Sequence, residues 1–303
     1  MVKAELAEFV TDDDLRLPGL LYEPQKKTQK VLIYLHGCGS TSVFYSVRDI
    51  NIFADALTKA GIAFFPFNNR GAHIVKTLTR RQGLDNEVET LQGTAFEKIK
   101  ECILDINGAL NFLKKKGFKE FYCIGHSTGA NKIVVYDHYV PKNEIKKYIL
   151  WAGGDDVGLY YREMGSKKFH LALKKSKDMT DKGKGEKLVP RYLNKQVYSY
   201  QAFFDILNPD GDYNIFPFND GINKLNLSKK PLFSKFSKIR KPTLVLYGDR
   251  DEYCYGDVKK CVTLLRSAVS GKKNFTFQII PGADHGFTGK EEELAKMVVN
   301  WIK

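Results

Sequence analysis

The stretch Phe121-Tyr122-Cys123-Ile124-Gly125-His126-Ser127-Thr128-Gly129 constrains the fold more than any other. Four apolar residues read as a buried strand. They run straight into a G-x-S-x-G turn, and a helix follows from about Ala130 to Tyr139, stopped by Pro141. A serine at such a junction sits on a sharp, strained turn with its hydroxyl above the sheet. The glycines two residues to either side keep side chains out of the place where strand and helix crowd together.

The neighbouring segments repeat the rhythm. Val31–Leu35 is a continuous apolar run entering the glycine-rich loop His36-Gly37-Cys38-Gly39-Ser40, and residues 48–60 read as a helix ended by Gly61. Ile62–Phe67 is a second buried strand, before Asn68-Asn69-Arg70-Gly71. Phe96, Ile99, Ile103, Ile106, Leu110 and Leu113 form one helical stripe, with Thr94 and Glu97 at capping-box spacing before it. Tyr148–Trp151, Thr243–Tyr247 and Phe275–Ile280 read as further strands, and about 257–269 and 290–302 as helices. Strands alternating with helices of this length predict an α/β fold with a doubly wound, mostly parallel sheet.

The rhythm breaks after Gly153-Gly154. Residues 155–236 are rich in Lys, Tyr and Phe and carry no clear buried strand. One helix is expected there, opened by Pro190, with Val189, Leu193, Val197, Tyr200, Phe204 and Leu207 on its apolar face. The expected organisation is a core of 1–154 and 237–303 and an inserted α-helical cap of 155–236. Most of the aromatics Tyr160, Tyr161, Tyr198, Tyr200, Phe203 and Phe204 are expected between cap and sheet, the remainder forming an apolar wall for a pocket.

Bulk properties exclude several classes. With 43% hydrophobic and 27% charged residues the chain is not of disordered composition. Its longest apolar runs are strand-sized, too short to span a bilayer. The opening MVKAELAEFVTDDDL has no apolar run after a basic start, which argues against a secretory signal. Five cysteines without a CxxC spacing argue against a disulfide framework or a metal site, and free thiols suit a cytoplasmic setting. The net charge is +13, but Lys167–Lys195 holds ten Lys/Arg against three Asp/Glu and so carries +7 of it. That stretch reads first as a solvated basic face. Anionic substrates, lipid headgroups and nucleic acid are the alternatives, and no nucleic-acid-binding signature supports the last.

Serine alone is a poor nucleophile and needs a base and an orienting acid. His285, in Pro281-Gly-Ala-Asp-His-Gly286, follows the last strand, where an open α/β sheet places its site. Asp249 and Asp251 both follow the strand ending at Tyr247. Either could accept the imidazole N–H, and the room needed for the loop to bend back leans toward Asp251. Oxyanion donors are expected from the backbone N–H groups of Thr128 and Cys38. His126 is expected to pack at the turn and His36 to brace the glycine-rich loop. His73 has a choice between the site mouth and the surface, and His138 and His170 read as surface residues.

With His36-Gly37, Arg70-Gly71, GHSTG, Gly248-Asp-Arg-Asp251 and a late histidine in the order Ser127, Asp251, His285, the chain resembles the α/β-hydrolase superfamily over nearly its whole length outside 155–236. The resemblance implies a cofactor-independent serine hydrolase acting on a small-molecule carboxylic ester, with Asp251, three residues after the strand's last glycine, as the acid. Serine at the turn disfavours dehalogenases and epoxide hydrolases. The His-Gly-x-Gly loop, the Asn-Asn-Arg-Gly loop and GHSTG also resemble a branch that includes siderophore esterases. An acyltransferase, thioesterase or amidase would use the same residues, and a binding protein on a hydrolase scaffold with a basic cap is the alternative from another class.

Overall fold

The computed structural model describes residues 2–82 and 86–303. The chain opens with an antiparallel pair, β1 (Ala4–Val10) and β2 (Arg16–Tyr22), followed by β3 (Lys30–Leu35), α1 (Val47–Lys59) and β4 (Ala63–Phe67). A separate hairpin, β5 (Lys76–Gln82) and β6 (Asn86–Gln92), precedes α2 (Cys102–Lys115). Then come β7 (Glu120–His126), α3 (Thr128–Tyr139) and β8 (Ile145–Trp151). Four helices follow: α4 (Asp156–Met164), α5 (Ser166–Asp181), α6 (Tyr200–Leu207) and α7 (Phe218–Asn223). The chain closes with β9 (Thr243–Gly248), α8 (Val258–Ala268), β10 (Phe275–Ile280) and α9 (Glu291–Ile302).

Eight strands form one sheet in the order β1-β2-β4-β3-β7-β8-β9-β10. From β4 to β10 every neighbouring pair is parallel, and β2 alone runs against the others, antiparallel to β1 on one side and to β4 on the other. The central strands are buried on both faces, which is why they read as continuous apolar runs rather than alternating ones. Their carboxyl ends deliver the loops after β3, β7, β8, β9 and β10 to one edge of the sheet.

Three expectations are corrected. The helix expected from Thr94 starts later, with a single 3-10 turn at Ile99–Glu101 leading into α2. Thr94 and Glu97 are no capping box: Thr94 Oγ1 accepts from the Gly39 N–H at 2.9 Å, and the Glu97 carboxylate turns inward to Lys132. The helix expected from Pro190 is only α6. Before it Val189 N–H donates to Tyr198 O (2.8 Å), and the backbone is extended at Ser199, whose hydroxyl caps α6 by accepting from Ala202 N–H at 3.2 Å. Besides the one helix expected in 155–236, the lysine-rich stretch forms another, α5, which buries Phe169, Ala172 and Ser176 on one side and keeps most of its lysines on the solvated side.

Candidate active site

Ser127 lies between β7 and α3 with φ 55° and ψ −129°. A non-glycine residue at positive φ is strained, and here packing holds it. Ser127 N–H donates to Trp151 O (2.9 Å), and its carbonyl accepts from Ala130 N–H (2.8 Å). The flanking glycines are required by space. A Cβ on Gly129 would sit 2.1 Å from the carbonyl oxygen of Leu35, and one on Gly125 would sit 2.3 Å from the carbonyl carbon of Gly129. The strand–helix crossing is therefore closed to any side chain at these positions.

His285 reaches the same place from the loop after β10. Its Nδ1 lies 3.0 Å and 3.1 Å from the two carboxylate oxygens of Asp251, which is buried in the loop after β9. Since a carboxylate only accepts, His285 carries its proton on Nδ1 and leaves Nε2 free. Asp249 points elsewhere, accepting the Gly282 N–H at 2.7 Å. The Glu252 carboxylate accepts the His285 backbone N–H (3.1 Å), and the Tyr253 ring packs edge-on against the imidazole with centroids 4.5 Å apart. The loop bearing the histidine is thus fixed at its backbone and its ring.

Thr128 opens α3, so its N–H has no carbonyl one turn earlier in the helix to bond. Cys38 faces it from the loop after β3. Burial, and next the Asp156 carboxylate, push the Cys38 thiol up to about 12, so it is held protonated. That loop is braced by His36. Its Nδ1 lies 2.7 Å from Gly37 O and 2.9 Å from Thr41 Oγ1, while Nε2 accepts the Asn69 N–H at 3.1 Å. Burial holds His36 far below the usual imidazole range, consistent with a neutral ring bonding on both sides.

His126 stacks on Trp151 with centroids 4.1 Å apart, and its Nε2 lies 3.0 Å from His285 O. Burial pushes it down to about 3, so it stays neutral. His73 is outside the site, against the Tyr45 hydroxyl at 3.0 Å. His138 packs against Tyr139, and His170 bonds its own helix at Ser166 O.

Ser127, His285, Cys38 and Tyr253 line one cavity of about 390 Å³. Its other wall comes from the segment between β8 and β9: Asp156, Tyr160 and Glu163 of α4, Gln196 and Tyr198 of the following turn, and Ile206 of α6. Of the six cap aromatics, most of them expected between cap and sheet and the remainder in a pocket wall, Tyr160 and Tyr198 line the cavity. The Tyr160 hydroxyl donates to Gln196 Oε1 (2.7 Å) and lies 3.0 Å from that of Tyr198, so this wall is polar as well as aromatic.

Sequence reasoning missed the layer beneath. Lys132, fully buried on α3, pairs with Glu97 at 2.5 Å and donates to Asn69 Oδ1 at 3.1 Å. Arg70, also buried, donates from its backbone N–H and Nε to the two oxygens of Asp105, and reaches Asp13 at 2.9 Å and Glu101 at 3.1 Å. The available signal was Lys132 standing directly before the apolar run Ile133-Val134-Val135-Tyr136, on the helix expected from about Ala130 to Tyr139.

A family model described as a protein of unknown function (DUF1749) matches residues 97–303. Among curated proteins none matches. Solved structures similar in fold include the esterase Pf2001 of Pyrococcus furiosus, at 18% identity and TM-score 0.59, covering 99% of this chain and 90% of that one. Est1E of Butyrivibrio proteoclasticus, with ferulic acid bound, superposes at 16% identity and TM-score 0.64 over 98% of both chains. The carboxylesterase CesB of Bacillus subtilis does so at 13% identity and TM-score 0.56, over 99% of this chain and 92% of that one. With more than half its length matched by one family model, and its fold similar to these structures over nearly its whole length, the chain belongs to the DUF1749 family and has the α/β-hydrolase fold.

Proposed function

We propose that the protein is a carboxylic ester hydrolase that works through Ser127, His285 and Asp251. The observation that carries this reading is the pairing of His285 Nδ1 with both oxygens of buried Asp251, in the cavity that also holds Ser127 at positive φ. That pairing orients the imidazole with Nε2 free to take the Ser127 proton as Oγ attacks the carbonyl carbon. The oxyanion forms against the N–H groups of Thr128 and Cys38. His285 then gives the proton to the departing alcohol oxygen. A water, deprotonated by the same Nε2, releases the acid and restores Ser127. No step needs a cofactor.

In this reading residues 155–236 are a cap closing the cavity, and the fold neighbours named as esterases support the reaction class. Five free thiols, four of them buried, suit a reducing compartment such as the cytoplasm. Among the described residues no helix is long and apolar enough to cross a membrane.

Labelling with a fluorophosphonate, wild type against Ser127→Ala, tests the reading by intact mass and peptide mapping. An adduct on Ser127 in the wild type alone is the expected result. No native adduct, together with no hydrolysis of p-nitrophenyl esters, sinks it.

A further inference from the structure

The charge of the Ser127 cavity is opposite to that of the chain. The protein carries +13, yet no lysine or arginine lines the cavity, and its carboxylates are Asp156 and Glu163. The basic stretch 167–195 contributes no residue to the lining; Gln196 and Tyr198, just beyond its end, do. Glu163 is exposed at the rim, whereas Asp156 is half-buried in the wall.

Asp156 borders the reaction centre. A Cβ built on Gly154 would lie 3.9 Å from Asp156 Oδ1 and 4.0 Å from Ser127 Oγ, so both atoms face the same small space. Oδ1 lies 3.5 Å from the hydroxyl of Thr128, the residue whose N–H faces the oxyanion. The carboxyl therefore lies beside both Ser127 and Thr128, within reach of a group bound to Ser127.

The acceptor capacity of this carboxyl is not used up by the protein. Oδ2 accepts from Asn131 Nδ2 at 3.1 Å, and the Thr128 contact on Oδ1 is long. An ionised carboxylate offers about four acceptor sites. Among the described residues no cation pairs with it, because the nearest one on α3, Lys132, is committed to Glu97 and Asn69. Nor does it cap its own helix. That task belongs to Asp155, which accepts from Gly158 N–H (2.8 Å), Asn219 N–H (2.7 Å) and the Tyr255 hydroxyl (2.9 Å). Burial, and next the Asp155 carboxylate, push Asp156 up to about 7, with Thr128 and Lys132 acting the other way and Glu97 adding to the rise. An arriving cation would supply the partner the fold withholds.

We propose that Asp156 is the specificity-determining residue of this cavity, and that it selects esters whose acyl group carries a protonated amine. The inference rests on the ester-hydrolase reading and names its substrate class. It runs against an anionic substrate, for which the cavity has no partner. The ammonium binds Asp156 in both ground state and transition state, so the preference falls mainly on KM.

The test compares p-nitrophenyl esters of an ω-amino acid and of the unsubstituted acid of equal chain length, at about pH 8, where the amine is protonated. A charged hydrogen bond of ordinary strength gives the wild type a preference of about tenfold or more in kcat/KM for the amino ester. Asp156→Asn brings the ratio to within about twofold of unity, and Asp156→Glu keeps a preference. Equal wild-type turnover of the two esters, or an undiminished preference in a folded Asp156→Asn protein, overturns the assignment and leaves the esterase reading standing. The wild-type ratio decides alone if the variant does not fold. Absence of turnover on both esters, with no fluorophosphonate on Ser127, overturns both readings together.

Discussion

Lys132 Nζ and Glu97 Oε1 lie 2.5 Å apart, and neither side chain has measurable contact with solvent beyond 1%. Lys132 is held on α3 just beyond the Ser127 turn, and Glu97 on the segment entering α2, so the pair clamps the base of the turn to the next layer. Removing one partner strands a buried charge. Lys132→Met or Glu97→Gln should each cost about 3–5 kcal/mol, and the double variant Lys132→Met/Glu97→Leu should recover part of the loss. Urea unfolding of all three measures it, and additive single effects would refute the pairing argument.

Asp251 and Asp249 stand two residues apart but face different groups, one the imidazole and one the Gly282 amide. Asp251→Asn should lower kcat on an activated ester by about four orders of magnitude, through loss of the correct histidine tautomer. Asp249→Asn should change it by about threefold or less, because its role is a single backbone hydrogen bond. Steady-state kinetics with one ester suffices, and comparable losses in both variants would contradict the assignment.

Much of this was readable beforehand, for a physical reason. Strands buried on both faces must be continuous apolar runs, so Val31–Leu35 and Ile62–Phe67 announced themselves, and a serine in GHSTG could only be a turn. The N-terminal strands β1 and β2 were silent. β1 is an exposed edge with only Ala7 and Phe9 buried, and Pro18 interrupts β2. In α5 the lysines hid a three-residue stripe, Phe169, Ala172 and Ser176. Val189 and Leu193 have helical spacing with Val197, but the backbone pairs Val189 with Tyr198 instead. Glu97 and Lys132 meet only through the fold, so nothing local in sequence could pair them.

Asp155 gives stability a distinctive pH dependence. Burial raises its carboxyl from the ordinary 3.8 to about 6, against the pull of its hydrogen-bond donors. The folded state therefore holds this proton where the unfolded state has lost it. The contribution is complete below about pH 4 and is lost as pH rises toward about 6. Asp155→Asn should be less stable overall, having one carbonyl oxygen for three donors, yet its unfolding free energy should fall less across that window. Denaturant midpoints of both proteins at a series of pH values check the slope, and parallel curves would contradict the claim.

Cys38 occupies a position where a reactive thiol would offer a rival nucleophile. With burial and Asp156 pushing it up to about 12, it should react with iodoacetamide at about pH 8 at least about a hundredfold more slowly than free cysteine. Peptide mass mapping after a timed reaction reads this directly. Rapid alkylation of Cys38 would reopen the thiol as the attacking group.

The order of the sheet also governs how activity relates to folding. β3 with β4, β7 with β8, and β9 with β10 are pairings between strands near in sequence. The joins between them, Leu32 with Tyr122 and Tyr148 with Thr243, close far longer loops. Cys38, Ser127 and the Asp251–His285 pair each belong to a different one of these three units. No fragment and no half-assembled intermediate holds all the groups that line the cavity. The site comes into being only when both long closures are made, so the active fraction of a preparation is its fully folded fraction.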